Sequence, residues 1–97
     1  MYEIEFTPQA IEDFRWFRKH EQQELIETIQ QQLQYEPLTQ TRNRKLMYPN
    51  EIASWELRIR HFRVLYTVDV LVHIVEVQRI GAKRGNRFFF RGRPEAV

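Results

Sequence analysis

Trp55-Glu56-Leu57-Arg58-Ile59-Arg60-His61-Phe62-Arg63-Val64-Leu65-Tyr66-Thr67-Val68-Asp69 is the stretch that decides the fold. Trp55, Leu57 and Ile59 alternate with Glu56, Arg58 and Arg60, the period-two pattern of a strand with one face buried. A second strand runs from Phe62 to Asp69, with His61 and Arg63 at the turn between them. The segment therefore predicts an antiparallel hairpin with an apolar face and an arginine-bearing face.

Working outward, a tight turn at Asp69-Val70 leads into a strand over 71–80, which Gly81 is expected to break. His73 lies in its apolar run and reads as a core residue. The tail, 83–93, mixes Lys83, Arg84, Arg87, Arg91 and Arg93 with Phe88-Phe89-Phe90. Those phenylalanines read as core residues first and as base-stacking residues second. Upstream, residues 36–50 contain Pro37, Thr39, Thr41, Asn43, Pro49 and Asn50 and read as a loop. It holds the basic cluster Arg42, Arg44 and Lys45, with Leu46-Met47-Tyr48 expected to tuck against the core. Before it, Leu25, Ile26, Ile29 and Leu33 share one face of a helix that Pro37 ends. Ala10, Ile11, Phe14 and Phe17 form the stripe of an earlier helix, which Trp16 broadens. It is capped by Thr7, opened by Pro8, and fades near Lys19-His20. The opening Tyr2-Glu3-Ile4-Glu5-Phe6 alternates as a first strand.

The order is β-α-α-β-β-β. The fold class is α+β: an N-terminal strand and a helical hairpin packed on a curved, mainly antiparallel sheet, within one domain over 1–97. The opposite face of the sheet carries the arginines.

Charge agrees with that division. Residues 1–55 hold six Lys/Arg and nine Asp/Glu, and residues 56–97 hold nine and four, so a net +2 splits into −3 and +5. Twelve of the fifteen basic residues are arginine. Arginine forks onto phosphate and stacks on bases, so the basic half reads as a polyanion-binding surface. The chain has no cysteine, which removes disulfides and thiolate metal sites. No membrane-length apolar run or secretory signal is present, and a cytoplasmic location is the default. No glycine-rich phosphate loop or serine elbow occurs, and His20, His61 and His73 lack the spacing of metal ligands. No cofactor and no metal are expected.

What remains is a cluster able to cleave RNA without metal. Glu56 is the natural base for a 2′-hydroxyl, with Arg58 keeping it ionised. Arg63 and Lys83 would hold phosphate and stabilise a phosphorane-like transition state, with His61 as acid. Arg60, His61, Arg84, Arg87, Phe89, Arg42, Arg44 and Lys45 are the candidate nucleic-acid-binding residues. Glu56 and Arg58 read equally well as a plain ion pair of little energetic weight.

The Trp55–Asp69 strand pair resembles the RelE/ParE toxin superfamily of type II toxin–antitoxin systems, through its "W-x-L-R" and "F-R-V-L-Y" runs. Tyr2–Ala10 is similar to the superfamily's first strand and helix start, and Ile80-Gly81-Ala82-Lys83-Arg84 to its "I-G-x-R" segment. The resemblance covers residues 2–90. It implies a toxin held inactive in a hetero-oligomer by a cognate antitoxin protein. RelE-like members cut mRNA in the ribosomal A site without metal, so ribosome and mRNA are the implied partners. Carried across, the family's strand arginine falls on Arg63, one lysine on Arg58, a second on Glu56 with reversed charge, and the arginine after "I-G" on Lys83 or Arg84. The C-terminal stacking tyrosine falls on Phe89, which lacks the hydroxyl. Some ribosome-dependent relatives use a glutamate with arginine and histidine. The alternatives are a ParE-like inhibitor of DNA gyrase that cuts nothing, and a weakly active member that serves mainly in the toxin–antitoxin complex.

Overall fold

The computed structural model describes residues 1–97. β1 (Glu3–Phe6) leads into α1 (Pro8–Trp16) and α2 (Lys19–Leu33). The Thr7 side chain accepts the Ala10 N–H at 3.1 Å, and Pro8 occupies the first helical turn, where a missing N–H costs nothing. The helices are joined through Phe17 and Arg18, both extended. Glu21 accepts the Arg18 N–H at 2.9 Å and so secures the start of α2.

The remaining elements are β2 (Arg44–Leu46), β3 (Trp55–Ile59), β4 (Phe62–Asp69), β5 (Ile74–Arg84), β6 (Arg87–Phe90) and β7 (Arg93–Glu95). They pair in the order β2-β3-β4-β5-β6-β7, with β1 added parallel to β5. The α+β class, the helical hairpin and the mainly antiparallel sheet are as the sequence predicts. Three strands are additional to the expected set: β2 and the two short C-terminal strands.

Several local expectations are corrected. The turn after β4 spans Val70–His73, not two residues. His73 is exposed there at φ 55° and stacks on Tyr2 at 4.9 Å, so it is not a core residue. Gly81 does not break β5, which runs on to Arg84. A Cβ at Gly81 would fall onto the Phe89 carbonyl oxygen and within 2.7 Å of the Phe90 ring, so glycine is required for close approach of β6. Leu46 and Tyr48 are exposed, and only Met47 of that trio packs inward.

The main core lies between the helices and the sheet. Leu25, Ile29 and Leu33 of α2 meet Leu57, Val64, Tyr66, Val77 and Ile80 of the sheet. The opposite face holds a second, smaller apolar cluster of Ala53, Leu65 and Phe90. That face is therefore partly apolar, and away from this cluster it also carries the acidic Glu5 and Glu76, which pair across β1 and β5. No helix is long and apolar enough to cross a membrane.

A gap opens along β5 between the end of its pairing with β1, at Val77, and the start of its pairing with β6, at Ala82. α1 fills it. Buried Asp13 accepts the Ile80 N–H at 3.0 Å and the Arg79 guanidinium at 2.8 and 3.2 Å. Arg91 joins Asp13 and Glu12 at 3.1 Å each, and Arg79 lies 4.2 Å over the Phe90 ring. This network fastens the C-terminal strands to α1. A buried aspartate on a helix of such mixed composition gives no periodic signal, and the sequence reading missed it.

Candidate nucleic-acid interface

Strand register decides which of the candidate residues meet. On β3, Glu56 and Arg58 face away from the helices. Arg63 is the cross-strand partner of Arg58, and Gly81 is the partner of Arg63. On β2, Lys45 pairs with Glu56; on β6, Phe88 pairs with Lys83. Residues directly opposite share a face, so Lys45, Glu56, Arg58, Arg63, Lys83 and Phe88 all belong to one side of the sheet. All of these but Arg63 line a groove of about 220 Å3.

Glu56 sits at the base of this groove and is only 5% exposed. One carboxylate oxygen accepts Arg58 Nε at 3.0 Å; the other lies 3.5 Å from Arg63 Nε. That second separation serves charge attraction, but Arg63 Nε makes no aligned hydrogen bond. Arg63 Nη1 instead donates to the carbonyls of Arg60 and Phe62, at 2.7 and 2.9 Å. Burial pulls the Arg63 guanidinium below its ordinary pKa; Glu56 opposes that shift and Arg58 adds to it. Arg63 thus braces Glu56 from below and is committed to the fold. It is not the open phosphate ligand that its position in the sequence suggests. Arg58 is the accessible partner, with 41% of its side chain exposed. The Lys83 ammonium lies 5.3 Å from the Phe88 ring centre.

The other candidates lie elsewhere. Arg44 is buried. Its guanidinium donates to the Thr39 and Gln32 carbonyls at 3.0 and 2.8 Å and pairs with Glu36, so it anchors β2. Arg60 adopts φ 55° in the β3–β4 turn, which breaks the strand alternation and turns its side chain toward α2. There it forks onto Glu24 at 2.9 and 2.5 Å and holds that carboxyl below its ordinary pKa. Arg42 and Arg87 are exposed and line neither this groove nor the one described next.

His61, Arg84 and Phe89 are on the helix side. Phe89 pairs with Ala82, one residue out of phase with the Lys83–Phe88 pair. With Trp16, Arg18 and Phe62 these residues line a second groove, of about 550 Å3. The residue the sequence reading missed on the Glu56 face is therefore Phe88, which only its pairing with Lys83 assigns to that side. Trp16, expected to broaden the apolar stripe, is 54% exposed at this second groove. No three His, Asp or Glu side chains gather as a metal-ligating group.

No protein-family model matches the sequence, and no curated protein matches it. Solved structures do share the fold. A chain of the toxin–antitoxin complex RelBE2 from Mycobacterium tuberculosis superposes with TM-score 0.74 at 23% identity, over 84% of this chain and 91% of that one. A chain of the intact RelBE toxin–antitoxin complex of E. coli gives 0.68 at 17% identity, over 88% and 100%. A chain of the YoeB–YefM complex from Staphylococcus aureus gives 0.64 at 20% identity, over 88% and 99%.

Proposed function

We propose that this chain, which has the RelE-like fold, is the toxin of a type II toxin–antitoxin system and acts as a ribosome-dependent, metal-independent mRNA endonuclease. The observation that carries the reading is Glu56, the one acidic side chain in a groove whose other charged side chains are Lys45, Arg58 and Lys83. Glu56 accepts the proton of a 2′-hydroxyl, whose oxygen attacks the adjacent phosphorus; the P–O5′ bond breaks, leaving a 2′,3′-cyclic phosphate, and the departing 5′-oxygen takes its proton from solvent water. Arg58, Lys45 and Lys83 surround the phosphorane-like charge that develops, and Phe88 offers a ring on which a base can stack. His61, on the other groove, has no part in this step. The ribosome supplies the substrate's placement. An antitoxin with an acidic segment that covers the basic groove is the natural inhibitor.

The test is primer extension on cellular mRNA after induced expression. Cuts within translated codons, lost in Arg58→Ala and Lys83→Ala, are the expected result. Removing one phosphate contact that counts in the transition state should lower cleavage about 100-fold. A second reading is favoured by one feature: both oxygens of Glu56 already face guanidinium groups, as in a purely structural ion pair. A ParE-like gyrase inhibitor, or a weakly active member working mainly within its complex, fits that feature. Intact transcripts with a DNA-damage response select the gyrase reading, and intact transcripts without a growth defect select the weakly active one.

A further inference from the structure

The groove on the helix side has no part in the proposed cleavage, yet its lining is that of a binding site. Trp16 and Phe89 present aromatic rings, and Arg18, Arg84 and His61 supply basic groups. None of these three basic side chains is engaged in a salt bridge; Arg84 only overlies the Phe89 ring at 5.6 Å. The single acid, Glu21, already accepts the Arg18 N–H. Gly92, at φ +77°, carries no side chain where the Trp16 indole passes: a Cβ there would lie 3.3 Å from the ring. The volume, about 550 Å3, is in the range of small-ligand sites, ~300–1000 Å3. Planar rings beside unpaired guanidinium groups suit one ligand chemistry, a base carrying a phosphate.

We propose that this groove binds a nucleotide of single-stranded RNA, as a subsite separate from the Glu56 groove. The two grooves share a rim. Along β5 and β6, Lys83 and Phe88 point to one side and Arg84 and Phe89 to the other. The Lys83 N–H donates to the His61 carbonyl at 2.9 Å, which places the β3–β4 turn at the same rim. A single strand passing over it would meet cation and ring on both sides. The inference rests on the reading of the chain as RNA-binding, but not on cleavage.

Trp16 allows the groove to be observed directly, because the other tryptophan, Trp55, is only 6% exposed. The intact protein is titrated with a 2′-O-methyl oligonucleotide, which cannot be cut, and separately with adenosine 5′-monophosphate, while tryptophan fluorescence is followed. The oligonucleotide is expected to quench Trp16. The quench should weaken about tenfold in apparent affinity in Arg84→Ala, vanish in Trp16→Phe, and persist in Arg58→Ala, which alters only the Glu56 groove. Saturation by the mononucleotide alone assigns the site to free nucleotide; a need for the oligonucleotide assigns it to a strand. Both uphold the nucleotide chemistry. Quenching that survives Trp16→Phe, or no quenching by either probe, overturns the proposal. So does displacement by an acidic aromatic peptide when neither nucleotide probe binds, which would make this a peptide groove. Intact transcripts on expression of the unmutated chain, with quenching present, would sink the nuclease reading and leave this one standing.

Discussion

Glu56 holds one accessible and one buried guanidinium, so a single substitution tests both contacts. Glu56→Gln keeps the shape but leaves Arg63 desolvated beside a neutral amide. Breaking one side of a buried pair costs about 3–5 kcal/mol; because Arg58 stays in water, the expected loss of unfolding free energy is nearer 2 kcal/mol. Urea denaturation measures it, and an unchanged midpoint would show that Arg63 does not depend on Glu56. Tyr66 offers a second residue-level test. Its hydroxyl, fully buried, donates to the Pro37 carbonyl at 2.6 Å. Burial raises the phenol above its ordinary 10.0. The folded chain therefore keeps this proton at pH values where the unfolded chain has released it. The resulting stability is complete below pH 10 and drains away as the pH climbs beyond it, by up to about 1.4 kcal/mol per unit. Tyr66→Phe should cost about 1 kcal/mol at neutral pH and flatten the alkaline loss. Urea midpoints at pH 7 and pH 11 check both, and an equally steep alkaline fall in the variant would refute the assignment.

At the level of elements, the C-terminal hairpin depends on Gly81. Overpacking a strand interface costs about 1–3 kcal/mol, and a methyl at Gly81 meets backbone as well as the Phe90 ring. Gly81→Ala should therefore lie at or above the top of that range in thermal unfolding, and a variant as stable as the parent would mean that β6 is not held against β5 as described. The same glycine shows where the sequence could be read and where it could not. β3, β4 and the helix pair were legible because their apolar residues repeat at two, three and four over a full element. β2 and β7, three residues each, are too short for a period, and a glycine inside a strand looks the same as one that ends it. The apolar run Val70-Leu71-Val72 imitates a strand although all three residues are exposed in a turn. Side assignment failed for a different reason. Arg60 sits at positive φ, so the alternation that holds through Ile59 does not continue into it. Phe88 and Phe89 could be sorted only once pairing with Lys83 and Ala82 was known. The cations of the Glu56 groove were thus foreseeable, whereas Arg44, Arg60, His61, Arg84 and Phe89 required the register.

For the molecule as a whole, the charge asymmetry acquires a geometry. Of the basic surplus after residue 55, Arg79 and Arg91 are tied to Asp13 beneath the C-terminal strands, and Arg60 to Glu24. Five cations, drawn from both halves of the chain, flank one rim: Lys45, Arg58 and Lys83 on the first side, Arg18 and Arg84 on the second, while Arg42, Arg87 and Arg93 lie outside both grooves. A single strand that engages both sides neutralises about five phosphates. With a slope of roughly −0.7 per phosphate, log K against log salt should fall with a slope near −3.5. Lys83→Ala and Arg84→Ala should each make that slope shallower by about 0.7, because each removes one contact from a different side. Arg42→Ala, an exposed arginine in neither groove, should leave it unchanged. Fluorescence anisotropy of a labelled 2′-O-methyl oligonucleotide between 50 and 300 mM salt gives the three slopes. A strand confined to the Glu56 side would respond to Lys83→Ala alone, and equal responses to all three substitutions would reduce the binding to a diffuse attraction by net charge.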